Sequence, residues 1–145
     1  MALTARQVNQ VVDLLSVGHH FCALSRDIHK IIIQAEVKNG LYVMYEQDGQ
    51  VLGFASGWMV NQKTINQIKE LGLLGCINNN IILEAGPHLY ASHSCAHPQA
   101  PHFLLLSLIK KLIKKAAPIS ICAYQTNRSA QPRWTQKRVQ ICQSH

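Results

Sequence analysis

Apolar residues recur every three or four positions in the first part of the chain, which is the spacing of an amphipathic helix. A first helix is predicted between Thr4, which can cap its N-terminus, and Gly18, which is placed to end it. A second helix is predicted over residues 25–37, because that segment opens on a serine and is followed by Asn39-Gly40. The apolar positions of the first helix are Val8, Val11, Val12 and Leu15.

The pattern then changes to runs rich in β-branched and aromatic residues. Residues 41–47 and 50–60 form two such runs around Asp48-Gly49, which is typical of a β-hairpin. The helical spacing returns over residues 63–74. The sequence therefore predicts a hairpin followed by a third helix.

Residues 88–116 combine an apolar strand, a turn bracketed by two prolines and an amphipathic helix, with no linker between them. Alternation places Leu89, Ala91, His93 and Cys95 on one face of the strand. A strand that leads directly into a helix presents free backbone N–H groups and a positive dipole end, which suit a phosphate or an oxyanion. The segment therefore predicts a ligand site, with the imidazole of His93 near its mouth.

The last part of the chain is predicted to form two strands, residues 119–125 and 133–142, separated by a turn over residues 126–131. The element order is then α-α-β-β-α-β-α-β-β. With 145 residues and 48% hydrophobic content, the chain can bury one substantial core but is short for two domains. A single domain over residues 1–145 is expected.

The chain carries 14 Lys and Arg residues against 7 Asp and Glu, so its formal net charge is +7. This excess lies late in the chain and favours an acidic partner, such as a carrier protein, nucleic acid or the phosphates of a nucleotide. The residues assigned to the basic partner face are Lys110, Lys111, Lys114, Lys115, Arg133, Lys137 and Arg138. The four lysines also suit the solvated face of an ordinary surface helix.

Cysteine spacing and hydropathy indicate the compartment. The five cysteines are widely scattered and form no C-x-x-C pair, which is typical of reduced thiols in a cytoplasmic protein. No signal-peptide pattern opens the sequence, and its apolar runs are far shorter than the roughly 20 residues of a membrane span. We expect a cytoplasmic protein without a transmembrane segment.

The order of the predicted helices and strands, together with two short motifs, resembles that of the toxin-activating lysine acyltransferases that modify RTX toxins. Residues 16–19, SVGH, match an S-x-x-H motif that ends the first helix of that family. The hairpin resembles a second motif of the family, with Tyr42 aligned and Trp58 displaced by one residue. The resemblance implies a GNAT-like fold of the α+β (α/β) class, in which helices flank a single mixed sheet.

A third motif of that family, D-x-x-A-P before a helix, resembles residues 93–97, HSCAH. Ala96 is aligned, but His93 replaces the aspartate and His97 replaces the proline. The histidine after the first helix and the aspartate on the central strand are the residues linked to catalysis in the family. One of the two is therefore altered in this chain.

The resemblance implies transfer of a fatty acyl group from acyl carrier protein to a lysine amine of a protein. It assigns His19 as the general base, with His20 as the alternative one residue away. His93, which stands in the place of the family's aspartate, is the third candidate catalytic residue and could donate a hydrogen bond to the thioester oxygen if protonated. The resemblance also implies a set of substrate-binding residues. These are Tyr42, Trp58, Ser92, Cys95, Ala96 and His97. No bound cofactor is expected, because the donor, acyl carrier protein or coenzyme A, is a substrate.

The partners follow from the same resemblance. Members of that family usually form dimers, so a homodimer is one expectation. The glycine-rich phosphate loop of coenzyme-A-using relatives is replaced here by HPQAP, which favours a carrier protein as the donor or a reduced cofactor site. Nucleic acid is the less expected partner. The competing hypothesis is a non-enzymatic module of the same fold whose basic face binds nucleic acid or an acidic protein.

Three other interpretations concern single residues of the central strand. His93 alternates with apolar residues and can equally be a hydrogen-bonded core histidine. Cys95 could be a nucleophile if the adjacent helix N-terminus lowered its pKa. A metal site among His88, His93, Cys95 and His97 is disfavoured, because successive residues on one strand face lie about 6.6 Å apart and cannot easily close a tetrahedron.

Overall fold

The computed structural model describes residues 3–17, 25–38, 41–127 and 130–139. Within these residues the helices and strands follow the predicted order. They are α1 (Ala5–Val17), α2 (Arg26–Lys38), β1 (Tyr42–Gln47), β2 (Gln50–Val60), α3 (Gln62–Asn78), β3 (His88–Ala96), α4 (Phe103–Ala116), β4 (Ser120–Asn127) and β5 (Ala130–Arg138).

The five strands form one sheet in the order β1-β2-β3-β4-β5. The β1–β2 and β4–β5 pairs are antiparallel, whereas β3 and β4 are parallel. A sheet that contains both kinds of pair is mixed, so the predicted fold class is confirmed. No helix in the described ranges is both long and apolar enough to cross a membrane.

The chain divides into two compact units, and β2 and β3 each contribute residues to both. The first unit comprises residues 1–57 and 93–115, and the second comprises residues 58–92 and 116–145. The expectation of a single domain remains a prediction.

The first unit is built on α1, which forms at the predicted position. The Thr4 hydroxyl accepts a hydrogen bond from the backbone N–H of Gln7 at 3.1 Å, as expected of an N-cap. One face of α1 is apolar and packs with α2 and β2 in a buried cluster. The members of this cluster are Val8, Val11, Leu14, Leu15, Ile33, Val51 and Phe54.

Helix α4 also packs closely in the first unit. Its buried residues are Leu104, Leu108 and Leu112, one turn apart along a single face. A Cβ atom placed on Gly53 of β2 would lie 2.5 Å from Leu108 Cδ1 and 3.2 Å from Leu104 Cδ2. The glycine therefore lets the helix approach the strand.

The second unit opens with α3, which is longer than predicted. Asn61 caps it, because its side-chain oxygen accepts a hydrogen bond from the Thr64 backbone N–H at 2.9 Å. Gly72 adopts φ 74° inside the helix and kinks it, and α3 continues to Asn78. The predicted end at residue 74 was therefore wrong, since a glycine with positive φ interrupts the helix without ending it.

The β4–β5 hairpin differs from the prediction at its turn. Strand β4 continues to Asn127 and β5 begins at Ala130, so both strands extend into the segment 126–131 that was predicted to be a turn. The strands pair closely over this extra length, with Asn127 opposite Ala130. Cross-strand pairing thus extended both strands into a segment whose polar composition favoured a loop.

Candidate functional site

Helix α2 buries two ionisable side chains together with two isoleucines. His29, Ile32, Ile33 and Glu36 are all buried, at the i, i+3, i+4 and i+7 positions of one helix face. The buried residues have the spacing of an amphipathic helix, but two of the four are ionisable rather than apolar. An ionised carboxylate in such a place requires hydrogen-bond or charge partners, because burial removes its water.

Glu36 has a partner for each carboxylate oxygen. His93 of β3 lies with Nδ1 2.9 Å from Glu36 Oε1, and the hydroxyl of Ser56 in β2 donates a hydrogen bond to Glu36 Oε2. Glu36 and Ser56 are fully buried, and His93 is 6% exposed. A helix and two strands of the first unit therefore converge on one carboxyl group, which we call the Glu36 cluster: His29, Glu36, Ser56 and His93.

His29 completes the cluster beside His93. The two imidazole rings meet edge to face, with centroids 6.4 Å apart and an interplanar angle of 71°. No group of three or more His, Cys, Asp or Glu side chains in the described ranges is arranged to hold a metal ion. The cluster is therefore a hydrogen-bonded network rather than a ligand set.

The Glu36 cluster can orient an imidazole for proton transfer. A carboxylate that accepts from Nδ1 of a histidine fixes the orientation and the tautomer of the ring. In this geometry Nε2 occupies the opposite edge of the His93 ring. In many transferases and hydrolases, a carboxylate orients a histidine in this way, and the histidine acts as the base that activates a nucleophile.

Two of the predicted catalytic residues, His19 and His20, lie outside the described residues. The third, His93, belongs to the Glu36 cluster. Of the predicted substrate-binding residues, Ser92 and Trp58 belong to the second unit. The others belong to the first unit and are Tyr42, Cys95, Ala96 and His97.

Tyr42 is half-buried on β1 and lies against the apolar cluster of the first unit. Its ring stacks on Phe54, with centroids 6.0 Å apart. The Lys115 ammonium lies 5.3 Å from the centroid of the Tyr42 ring and donates a hydrogen bond to the Tyr42 backbone oxygen at 3.1 Å. Lys115 is thus held by the protein itself, unlike the other lysines of α4.

Cys95 is unsuited to the nucleophilic role considered for it. Burial raises the pKa of its thiol from 9.0 to about 12, and a hydrogen bond from the Phe54 backbone offsets only part of this effect. The thiol packs against the apolar cluster of the first unit. The lowered pKa that a nucleophilic role would require is therefore absent, because desolvation raises the pKa by more than the Phe54 hydrogen bond lowers it.

This pKa predicts that Cys95 resists alkylation in the folded protein. A rise from 9.0 to about 12 lowers the thiolate fraction near neutral pH by roughly 1000-fold. Treatment with iodoacetamide at pH 8, followed by peptide mass spectrometry, should leave Cys95 unmodified under native conditions. The same residue should react fully in urea, and rapid native labelling would contradict the burial argument.

The turn between β3 and α4 offers fewer backbone N–H groups than predicted. The N–H of His97 donates to the Leu52 carbonyl, that of Gln99 to His97 Nδ1 and that of Ala100 to the His97 carbonyl. The two prolines of the turn have no N–H group. The N–H groups of His97, Gln99 and Ala100 are therefore occupied by internal hydrogen bonds, and the predicted anion site at this turn would depend on the first turn of α4.

The predicted basic partner face is exposed on two elements. Lys110, Lys111 and Lys114 are exposed on α4, and Arg133, Lys137 and Arg138 are exposed on β5. The α4 lysines belong to the first unit and the β5 residues to the second. Trp134, between the basic residues of β5, is half-buried and packs against Tyr90 and Tyr124, at ring distances of 5.9 and 5.1 Å.

Sequence reasoning missed Glu36, Ser56 and His29. A signal was present for the two helical residues, because His29 and Glu36 flank Ile32 and Ile33 at the spacing of a single buried face. Ser56 gave a weaker signal, as a small polar residue inside an otherwise apolar strand. Only the fold shows that these positions converge on His93, which is 57 residues from Glu36.

Comparison with solved structures identifies proteins of similar fold. The chain aligns with the loading GNATL domain of CurA from Lyngbya majuscula at a TM-score of 0.64 and 9% identity, over 88% of this chain and 64% of that one. For the GphF GNAT-like decarboxylase in complex with isobutyryl-CoA, the TM-score is 0.61 and the identity 11%, over 86% and 64% of the chains. For the diaminobutyrate acetyltransferase EctA from Paenibacillus lautus, in complex with its substrate and coenzyme A, the values are 0.55 and 12%, over 87% and 64%.

These likenesses show that the chain has a GNAT-like fold, as the sequence resemblance implied. The chain spans less than two thirds of the length of each of these three proteins. None of the three is described as a toxin activator, and they include both an acetyltransferase and a decarboxylase. No family model and no curated protein matches the sequence.

Proposed function

We propose that this protein is an acyltransferase that moves an acyl group from a thioester donor to an amine. The observation that carries the proposal is the buried Glu36–His93 pair within a GNAT-like fold. Two proteins of similar fold bind coenzyme A or an acyl derivative of it, which supports a thioester as the donor. A fold alone does not determine a reaction, so the chemistry rests on the pair.

The reaction requires one proton to be moved. The nitrogen of a neutral amine attacks the thioester carbonyl carbon, the new C–N bond forms, and the C–S bond breaks to release a thiolate. The amine nitrogen loses a proton, which passes through a general base to the departing sulfur, so that the products are an amide and a thiol. A histidine suits this transfer, because its unperturbed pKa is close to neutral pH.

Two histidines are proposed for this proton transfer on different grounds. His93 is supported by its contact with Glu36, which would act as a positioning residue for the imidazole. His19, with His20 as the alternative, is supported by the S-x-x-H motif of the toxin-activating acyltransferases. Activity measurements on variants of both residues distinguish them.

The narrower proposal concerns acceptor and donor. We propose a protein lysine as the acceptor and an acidic acyl carrier protein as an alternative donor to acyl-coenzyme A. The support is the resemblance to the toxin-activating family and the net charge of +7, which suits an acidic donor. A homodimer and a cytoplasmic location are expectations that rest on the same resemblance and on the composition.

Donor discharge tests the proposed function. The purified protein is incubated with a lysine-rich acceptor protein and with either acyl-coenzyme A or acyl-loaded carrier protein as the donor. Released thiol and acceptor mass are both measured. We expect stoichiometric thiol release and an acceptor mass increase of one acyl group. His19→Ala is expected to abolish both signals if His19 is the base.

His102→Ala is the matched control, because His102 is an exposed histidine outside the Glu36 cluster. Its activity should equal that of the wild type. Thiol release without acceptor acylation would indicate hydrolysis and contradict amine transfer. The absence of reaction with both donors, together with salt-dependent binding to nucleic acid, would instead support the non-enzymatic module.

A further inference from the structure

Helix α4 has an exposed stripe of side chains on the side away from its buried leucines. Phe103 and Leu106 are 69% and 55% exposed, although both are large and apolar. They are followed along the same side of the helix by exposed lysines. Together these side chains line a shallow cavity of about 370 Å³, which we call the α4 stripe: Phe103, Leu106, Ser107, Lys110, Lys111 and Lys114.

The cations of the α4 stripe have no counter-charge in the described part of the protein. Lys110, Lys111 and Lys114 form no salt bridge with any described residue. Residues 97–118 contain no Asp or Glu at all. Three neighbouring positive charges with no internal partner repel one another, and an external anionic group would relieve this repulsion.

The apolar residues indicate what kind of anionic partner fits. A surface that carried only solvated cations could bind any polyanion. The α4 stripe is more selective, because Phe103 and Leu106 lie at one end of it and the lysines lie at the other. An exposed aromatic beside a cavity and a cationic rim is typical of a protein interface, where a partner side chain is buried and charges surround it. A nucleic acid backbone would leave the apolar end unused.

A lipid surface and a second copy of this chain fit less well. Helix α4 buries its continuous apolar face within its own unit, which leaves only Phe103 and Leu106 to enter a bilayer, fewer than an interfacial helix uses. A second copy would bring another net charge of +7. Four of its seven acidic residues are already paired, namely Asp13, Glu36, Glu46 and Glu84.

We infer that the α4 stripe docks an acidic protein through an apolar side chain that enters the cavity and carboxylates that face Lys110, Lys111 and Lys114. Because this inference rests on the proposed function, it identifies that protein as the acyl carrier that delivers the donor. The lysines would mainly raise the association rate and its salt sensitivity. Phe103 would contribute to the lifetime of the complex.

Binding of apo acyl carrier protein tests the inference without any acyl chemistry. Titration calorimetry at low salt compares the wild type with the triple variant Lys110→Gln/Lys111→Gln/Lys114→Gln and with Phe103→Ser. We expect each variant to weaken binding by about tenfold. The matched control removes three lysines elsewhere, Lys30→Gln/Lys38→Gln/Lys63→Gln, and should change the affinity less than twofold.

Each alternative outcome is decisive. Equal weakening in the control would show an effect of net charge alone and overturn the α4 stripe. Failure of the carrier to bind, with α4-dependent binding of single-stranded DNA or of phosphatidylglycerol vesicles, would also overturn it. Carrier docking without acyl transfer from any donor would support the α4 stripe and contradict the proposed function. Acyl transfer from acyl-coenzyme A without carrier docking would support the proposed function and contradict the α4 stripe.

Discussion

Replacement of Glu36 by alanine is expected to lower the free energy of unfolding by about 3–5 kcal/mol, the range for breaking a buried pair. The substitution removes the hydrogen-bond acceptor that faces both His93 Nδ1 and the Ser56 hydroxyl. Both groups would remain buried without this acceptor, and the substitution would also leave a cavity where the Glu36 side chain stood. Urea unfolding followed by circular dichroism measures the change.

Two variants calibrate this result. Glu36→Gln keeps one acceptor oxygen and nearly the same volume, so its loss should be smaller, about 1–3 kcal/mol. Asp13→Ala breaks an ion pair with Arg26 that is exposed on both sides, and should cost less than about 1 kcal/mol. If Glu36→Ala unfolds no more easily than Asp13→Ala, Glu36 does not hold the cluster together.

His93→Asp is expected to destabilise the protein at least as strongly, by about 4 kcal/mol or more at pH 8. This substitution introduces the residue that stands in the D-x-x-A-P motif, which residues 93–97 resemble. In this chain, however, it would place a second carboxylate against the buried Glu36. Two like charges without a cation cannot both remain ionised there, so one must take up a proton or the site must open.

A double-mutant cycle separates this repulsion from a simple loss of packing. Glu36→Gln/His93→Asp removes one of the two charges and should recover stability relative to His93→Asp alone, with a coupling within the range of about 0.5–3 kcal/mol. Acidification from pH 8 to pH 5 should also narrow the gap between His93→Asp and the wild type, because protonation removes the repulsion. An additive cycle with no pH dependence would contradict direct coupling of the two positions.

The same geometry gives a physical reason for a histidine, rather than an aspartate, at residue 93. Because Glu36 occupies the facing position on α2, a histidine at residue 93 satisfies the buried carboxylate and an aspartate would not. The histidine on β3 is therefore matched to the acidic residue on α2.

Most helices and strands could be predicted from local patterns. Strand β3 and helix α4 coincide with the predicted segments, because alternation, two prolines and a leucine-rich face leave few other conformations. The hairpin was equally predictable. Asp48 and Gly49 adopt φ 53° and 76°, the left-handed values that an Asp-Gly turn favours.

The candidate site could be predicted only in part. His93 was identified from its place on the strand, but the choice between a site histidine and a core histidine depended on what faces it. That information is not local, because Glu36 lies on a helix that precedes the hairpin. Acidic residues are rarely fully buried, so the sequence pattern gave no reason to expect Glu36 in the core.

The position of β5 at the end of the strand order has a consequence for solubility. A terminal strand offers unpaired backbone groups to other chains, and long flat edges promote aggregation. Arg133, Lys137 and Arg138 are exposed on this strand, so a second copy of this chain that added the same strand here would bring like charges together. We therefore expect the basic residues of β5 to oppose self-association at this edge, an effect that requires no ligand, unlike the docking proposed for the lysines of the α4 stripe.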